Sequence, residues 1–199
     1  MVLYSEPFNA QSFEGVIIYE DSYESYEPAF SSTEVTEAMG SRREYYVSGG
    51  SYKIVNNGSY MLYQIYDQST NRLYNKIAPS DTLYWADGDS VRHPVINFRK
   101  LEKKENVLGY VCDAIEIETT DGTTVYYFNS ELKMDLELYK THYLGSYYFY
   151  LNQSGALPLK TVVKNDRFTW TSTAIEVKKK QIDKGVFSIP VGGLKMQID

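Results

Sequence analysis

Between Tyr60 and Tyr66 the chain has no polar side: one parity carries Tyr60, Leu62 and Tyr66, and the other Met61, Tyr63 and Ile65. Successive side chains of a strand point to opposite faces of its sheet, so a strand written this way is covered on both. A bare sheet with one face in water is excluded. The rest of the chain has to supply a covering layer. Tyrosine, at 20 of 199 positions, recurs on both faces; its ring packs as an apolar plate while its hydroxyl needs a partner. A sheet faced with it suits either ordinary cross-strand packing or a cavity for an amphipathic ligand.

Runs of β-branched and aromatic residues recur at hairpin spacing along most of the chain. Val16–Tyr19 is the first. Tyr45–Val47, Tyr52–Val55, Tyr60–Tyr66, Arg72–Ile77, Thr82–Trp85, Val95–Leu101 and Leu108–Glu118 follow, broken by Gly49-Gly50, Asn56-Asn57-Gly58 and the polar stretch Asp67–Asn71. Glycine and asparagine tolerate the positive φ that hairpin turns require. Asp121-Gly122 reads as a two-residue hairpin connection. Leu132, Met134, Leu136 and Leu138 alternate with Lys133, Asp135 and Glu137, which predicts another strand, and Leu157–Lys164 and Phe168–Val177 complete the series. With no internal repeat or dividing linker, residues 1–199 read as a single, mainly antiparallel β domain.

Two segments break the alternation and offer the cover. Ser31 and Glu34 form a capping-box pattern ahead of Val35, Ala38 and Met39, with Gly40 as the stop, so a helix is expected over Ser32–Met39. Leu144, Tyr147, Tyr148 and Leu151 recur at i, i+3, i+4 and i+7 before Gly155, the signature of a second short helix.

Composition and motifs exclude more chemistry than they suggest. Twenty-six acidic against twenty basic residues give a formal charge of -6, which offers a polyanion no general attraction, so nucleic acid is not an expected partner. Cys112 is alone, which rules out an intramolecular disulfide and a cysteine zinc cluster, and its strand neighbours Tyr110 and Ala114 mark it as a small buried hydrophobe. His93, beside Pro94, reads as a solvated loop residue. The oxygen-rich runs Asp87–Ser90 and Asp67–Asn71 lack the glycine and distant glutamate of a calcium loop. No phosphate loop, dinucleotide fingerprint or nucleophile elbow is present. We therefore expect no catalytic residue, no metal and no cofactor. No stretch approaches the roughly 20 apolar residues of a membrane-spanning helix, and Met1–Ala10 lacks the basic start and apolar run of a signal peptide.

Toward the C-terminus the order of motifs acquires a family character. Gly109-Tyr110-Val111-Cys112 opens one strand, Leu157-Pro158-Leu159-Lys160 opens another after the short helix, and Phe187-Ser188-Ile189-Pro190-Val191-Gly192 closes the series. With Phe13-Glu14-Gly15, Tyr52-Lys53-Ile54 and Tyr66-Asp67 upstream, this succession resembles the LolA-like superfamily of bacterial lipoprotein carriers and sorting proteins, closest to its secreted branches. The resemblance implies a strongly curved antiparallel sheet, an incomplete barrel, whose concave face is closed by short helices over an apolar cavity. It implies a non-enzymatic periplasmic, outer-membrane-associated or secreted protein, its leader absent from this chain. The expected partner is a lipid, an acylated protein or another hydrophobic or amphipathic small molecule. A cell-envelope module that meets protein or glycan through an aromatic face is the alternative. The carriers hold their lid with an arginine in an early strand, and the matching segment here offers Lys53, a point charge without the planar fork. Lys53, Tyr63, Tyr84 and Trp85 are the expected ligand-binding residues.

Overall fold

The computed structural model describes residues 12–198, so the expectation for Met1–Ala10 concerns a segment outside them. Within them twelve strands form one sheet: β1 (Gly15–Ser25), β2 (Arg42–Ser48), β3 (Ser51–Asn56), β4 (Met61–Asp67), β5 (Arg72–Ile77), β6 (Leu83–Asp87), β7 (Val95–Val107), β8 (Tyr110–Thr119), β9 (Gly122–Lys133), β10 (Ala156–Lys164), β11 (Phe168–Lys179) and β12 (Lys195–Gln197). Their spatial order is β12-β6-β5-β4-β3-β2-β1-β11-β10-β9-β8-β7. The strands thus begin mid-sheet with β1, meander outward to β6, reappear on the far side as β7 and meander back until β11 pairs with β1. β12 lies parallel to β6, and the other ladders are antiparallel.

Residues 88–94 link β6 to β7. Seven residues reach at most about 25 Å, so strands at opposite sides of the sheet are brought close in space. The sheet is strongly curved and does not close into a barrel. This is the expected architecture.

The tight turns follow from backbone freedom. Gly49 and Gly50, both at positive φ (56° and 86°), connect β2 to β3 as a two-residue hairpin loop. At Gly58 a Cβ atom would lie 2.4 Å from the Ala38 carbonyl oxygen, so the β3–β4 turn can press against the end of the first helix only because no side chain is there. The β8–β9 hairpin is displaced by one residue from expectation: Thr119 pairs with Gly122, which leaves Thr120 and Asp121 in the loop and makes Gly122 the first residue of β9.

The segment between β9 and β10 crosses the concave face. It comprises 3₁₀ turns at Leu136–Tyr139 and Leu144–Ser146 and then helix α2 (Tyr147–Ser154), stopped by Gly155 in the left-handed conformation. Tyr45, Tyr52 and Tyr66 from one half of the sheet and Phe98 and Tyr126 from the other all pack on side chains of residues 139–150. Only a concave face lets both halves converge on one short segment. The expected strand through Leu136 and Leu138 is absent; the alternation ends at Met134. Asp135 then accepts from the Glu137 amide and starts a 3₁₀ turn, so local side-chain capping overrides the two-residue period.

The outer face is covered by a different element from the one expected. Ile65 and Tyr66 are sequence neighbours on opposite faces, yet they are 1% and 0% exposed. Outside, Val16, Ile18 and Tyr46 pack under Ile182, Val186 and Phe187 of the segment that follows β11. Glu14 anchors this strap by accepting from the Ile182 amide (2.9 Å) and the Ser48 hydroxyl (2.8 Å), and those bonds hold its carboxyl below the usual range. The strap then runs on to become β12 beside β6.

Helix α1 (Ser32–Met39) has the expected bounds, capping box and Gly40 stop, but it buries none of its residues completely. Ser31→Ala removes the cap acceptor and should destabilise α1 by about 1 kcal/mol. Amide exchange over Glu34–Met39 is then expected to speed up roughly fivefold, with the rest of the sheet unchanged; equal exchange in both proteins would show that packing alone holds the helix.

Candidate functional site

On β1, Tyr19, Asp21 and Tyr23 turn inward while Glu20, Ser22 and Glu24 are exposed or face out, the two-residue period of a strand. The register sets Tyr19 opposite Arg43 of β2, Asp21 opposite Ser172 of β11, and Tyr23 opposite Trp170 of β11. These six residues build a compact polar cluster inside the concavity. The Arg43 guanidinium lies 4.6 Å from the ring centres of both Tyr19 and Trp170. Its Nε is 3.1 Å from Asp21 Oδ2, and Nη2 donates to the Ser172 hydroxyl at 2.7 Å.

The pair is largely withdrawn from water, with the Asp21 side chain 3% exposed and that of Arg43 14%. Burying two charges is costly, and mutual attraction compensates only when the remaining hydrogen-bonding positions are also filled. Here they are not. Asp21 Oδ1, the Arg43 Nε–H and the Trp170 indole N–H have no hydrogen-bond partner in the protein, although each is buried. The charges are close, but the Nε–H does not point along the line between them.

Two adjoining cavities meet at this cluster and share Arg43, Ile54 and Trp170. The inner one, about 190 Å³, is walled by Tyr45, Tyr52, Tyr126, Tyr147, Leu157 and Val163 among others. The outer one, about 230 Å³, is lined by Asp21, Tyr23, Asn56, Met61, Gln64 and Phe168, with Met39 of α1 at its edge. Each alone falls below the roughly 300 Å³ at which small-molecule sites begin, and Arg43 stands as the gate where they meet. Larger hollows, about 350 Å³ between Ser12–Glu14 and Lys179–Gln181 and about 510 Å³ between α1 and Asn57–Ser59, are mostly polar surface depressions, with Phe13 the one aromatic residue in their linings.

The other end of the concavity is packed shut by rings. His142 stacks on Tyr66 at 4.0 Å between ring centres and on Tyr147 at 4.7 Å, and its Nε2 meets the Tyr52 hydroxyl at 2.9 Å. Tyr45 and Tyr147 join hydroxyls at 2.7 Å. Burial pushes the phenols of Tyr45, Tyr52 and Tyr147 well up and pulls His142 down to about 3, against a smaller opposing effect of the neighbouring Gly88 carbonyl. Those groups are neutral at ordinary pH, so the inner wall is an apolar surface dotted with paired hydroxyls.

The four residues expected to bind a ligand do not share one cavity. Tyr46, Lys53, Ile65, Tyr74 and Trp85 stand in register across β2 to β6 and form one row on the outer face. Lys53 lies 5.2 Å over the Tyr63 ring, and Arg72 lies 3.9 Å over Trp85. Tyr84 points to the inner side, opposite Asn75, with its hydroxyl 3.3 Å from that of Ser80. The cation on the concave face is Arg43, one strand earlier than Lys53. Reading the Glu-Tyr-rich stretch after Tyr19 as a continuing strand would have found Tyr19, Asp21 and Tyr23; the signal was their period.

His93 is exposed in the β6–β7 connection, and the buried Cys112 thiol is held up in pKa by desolvation, both as expected. Among the described residues no group of three or more His, Cys, Asp or Glu is arranged to hold a metal ion, and no helix is long and apolar enough to cross a membrane.

No protein-family model and no curated protein sequence matches the chain. Among solved structures, PNGF-II in space group P21 superposes with a TM-score of 0.54 at 13% identity, over 94% of this chain and 32% of that one. The C2 form of PNGF-II gives 0.52 at 15% identity, over 94% and 31%. An outer membrane lipoprotein-sorting protein domain from Vibrio parahaemolyticus aligns over 89% of this chain and 90% of its own at 10% identity, with a TM-score of 0.27. The chain spans about a third of the length of PNGF-II and is similar to it in fold.

Proposed function

We propose that the protein binds a small amphipathic molecule without transforming it. The apolar part enters between Tyr45, Tyr126 and Tyr147, and the polar part stays at Arg43 and Asp21. One observation carries this reading: an aromatic cavity of about 190 Å³ ends on a buried ion pair whose hydrogen-bonding capacity the protein leaves unfilled. An apolar cavity of about 150 Å³ is enough to take up benzene, so a short alkyl chain fits within the inner compartment. The lipid or acylated protein implied by the family resemblance is such a molecule, and the periplasmic or outer-membrane setting implied with it is part of this proposal. The alternative of an interaction module working through an aromatic face has less support, because part of the outer aromatic row lies under the strap.

The test uses the two tryptophans. In a Trp85→Phe background Trp170, which lines both cavities, is the remaining reporter. Titration with n-alkanols from pentanol to decanol should change its emission saturably. Affinity should rise about fourfold per methylene, the equivalent of about 0.8 kcal/mol, and level off once the inner compartment is full. A linear, unsaturable response at every chain length would sink the proposal.

A further inference from the structure

We infer that the polar end of the ligand is a neutral, hydroxyl-rich head such as a sugar, and that carboxylate and ammonium heads are rejected; this rests on the amphipathic-ligand reading above. The reason lies in which atoms at the Arg43 gate lack partners. Asp21 Oδ1 is an acceptor without a donor, while the Arg43 Nε–H and the Trp170 indole N–H are donors without an acceptor. All three are buried beside cavities that Arg43 and Trp170 line together. A head that satisfies this set must donate and accept within a few ångströms. A hydroxyl does both, a carboxylate only accepts and an ammonium only donates.

Charge points the same way. Arg43 is already neutralised by Asp21 at 3.1 Å, so the gate carries no net charge to offer an ionic head. An entering carboxylate would stand beside the desolvated Asp21, and an entering ammonium beside Arg43, each adding a like charge where water cannot screen it. The outer compartment adds groups of the matching kind. Gln64 spends its amide N–H on Asn75 Oδ1 at 2.6 Å, which leaves its own carbonyl oxygen to accept, and Asn56 lines the same space. Two aromatic rings, Tyr23 and Trp170, stacked at 6.4 Å, form the wall against which a ring-shaped head would lie.

The experiment holds the chain constant and varies the head. Octyl β-glucoside below its micellar concentration, n-octanol, octanoate and octylammonium are each titrated against the Trp85→Phe protein at pH 7.5, with Trp170 emission as readout. The glucoside is expected to bind at least tenfold tighter than octanol, and octanol tighter than either ion. Octanol binding as well as the glucoside, or octanoate binding better than octanol, overturns the inference and leaves the amphipathic-ligand reading standing. Binding by none of the four overturns both. Asp21→Asn leaves Arg43 unopposed and should reverse the order in favour of octanoate; an unchanged order in the folded variant contradicts the charge argument. If Asp21→Asn does not fold, Gln64→Ala serves: the glucoside should weaken at least threefold and octanol should not change, and equal effects on both would count against recognition of the head.

Discussion

Lowering the pH from 7.5 to 5 is expected to remove about 2 kcal/mol of folding stability through His142 alone. The ring is 1% exposed, lies against Tyr66 and Tyr147, and has a pKa pulled down to about 3 by desolvation. In the unfolded chain it titrates near 6.5. Between those values the unfolded state takes up a proton that the folded state refuses, so stability is full above pH 6.5 and falls toward pH 3 at about 1.4 kcal/mol per pH unit. Over the whole window the loss is on the order of 5 kcal/mol, a large share of what a domain possesses. Protonation would make both ring nitrogens donors, although Nδ1 is buried without a hydrogen-bond partner. Urea unfolding at pH 7.5, 6 and 5 measures the slope before most carboxylates titrate. His142→Phe keeps a ring in the stack but orphans the Tyr52 hydroxyl, so it should be less stable at pH 7.5 and nearly flat across the same interval. A wild-type slope that persists in this variant would place the sensitivity elsewhere.

Arg43→Ala is expected to be the most damaging single substitution on the concave face, at about 3 to 5 kcal/mol. It leaves a carboxylate that is 3% exposed with neither its countercharge nor a hydrogen bond to Oδ1. It also removes the plate that separates Tyr19 from Trp170. Asp21→Ala should cost less, because Arg43 is 14% exposed, keeps Ser172 and retains its two aromatic faces. The double replacement Arg43→Met with Asp21→Leu discards both charges and should recover most of the loss, since paired removal avoids an uncompensated ion. Guanidinium unfolding of the wild type and the three variants compares these losses. If Arg43→Ala costs under 1 kcal/mol, the pair is effectively solvated and the gate is wet.

Most of the secondary structure was legible in the sequence, because strand periods, hairpin glycines and a capping box are local. Ser31 with Glu34 located α1, and Gly155 located the end of α2, from chemistry that acts within four residues. The two apolar parities around Ile65 and Tyr66 also announced a second covering layer. Its identity was less legible. Helices are readable as covers, whereas Ile182, Val186 and Phe187 sit in an irregular segment whose only signature is apolar side chains scattered among lysines. The buried cluster around Arg43 was not legible for a related reason. Lys53, Tyr63 and Trp85 have suitable chemistry, but parity alone does not say which side of a strand is concave. Arg43, Asp21, Ser172 and Trp170 come from strands at both ends of the chain. Only the pairing of β1 with β11 brings them together.

That pairing also governs how the sheet can be assembled. β1 to β6 form by neighbour-to-neighbour hairpins, and so do β7 to β11, but the seam between the two halves joins Gly15 to Lys179. Contacts this distant along the chain are the slow ones. During synthesis β1 therefore emerges well before its partner and waits, with one edge satisfied by β2 and the other open, until β11 has left the ribosome. An open edge of that length is a template for pairing with a neighbouring chain. The strand that supplies Tyr19, Asp21 and Tyr23 to the buried cluster around Arg43 is thus also where a nascent molecule is most exposed to joining the wrong partner.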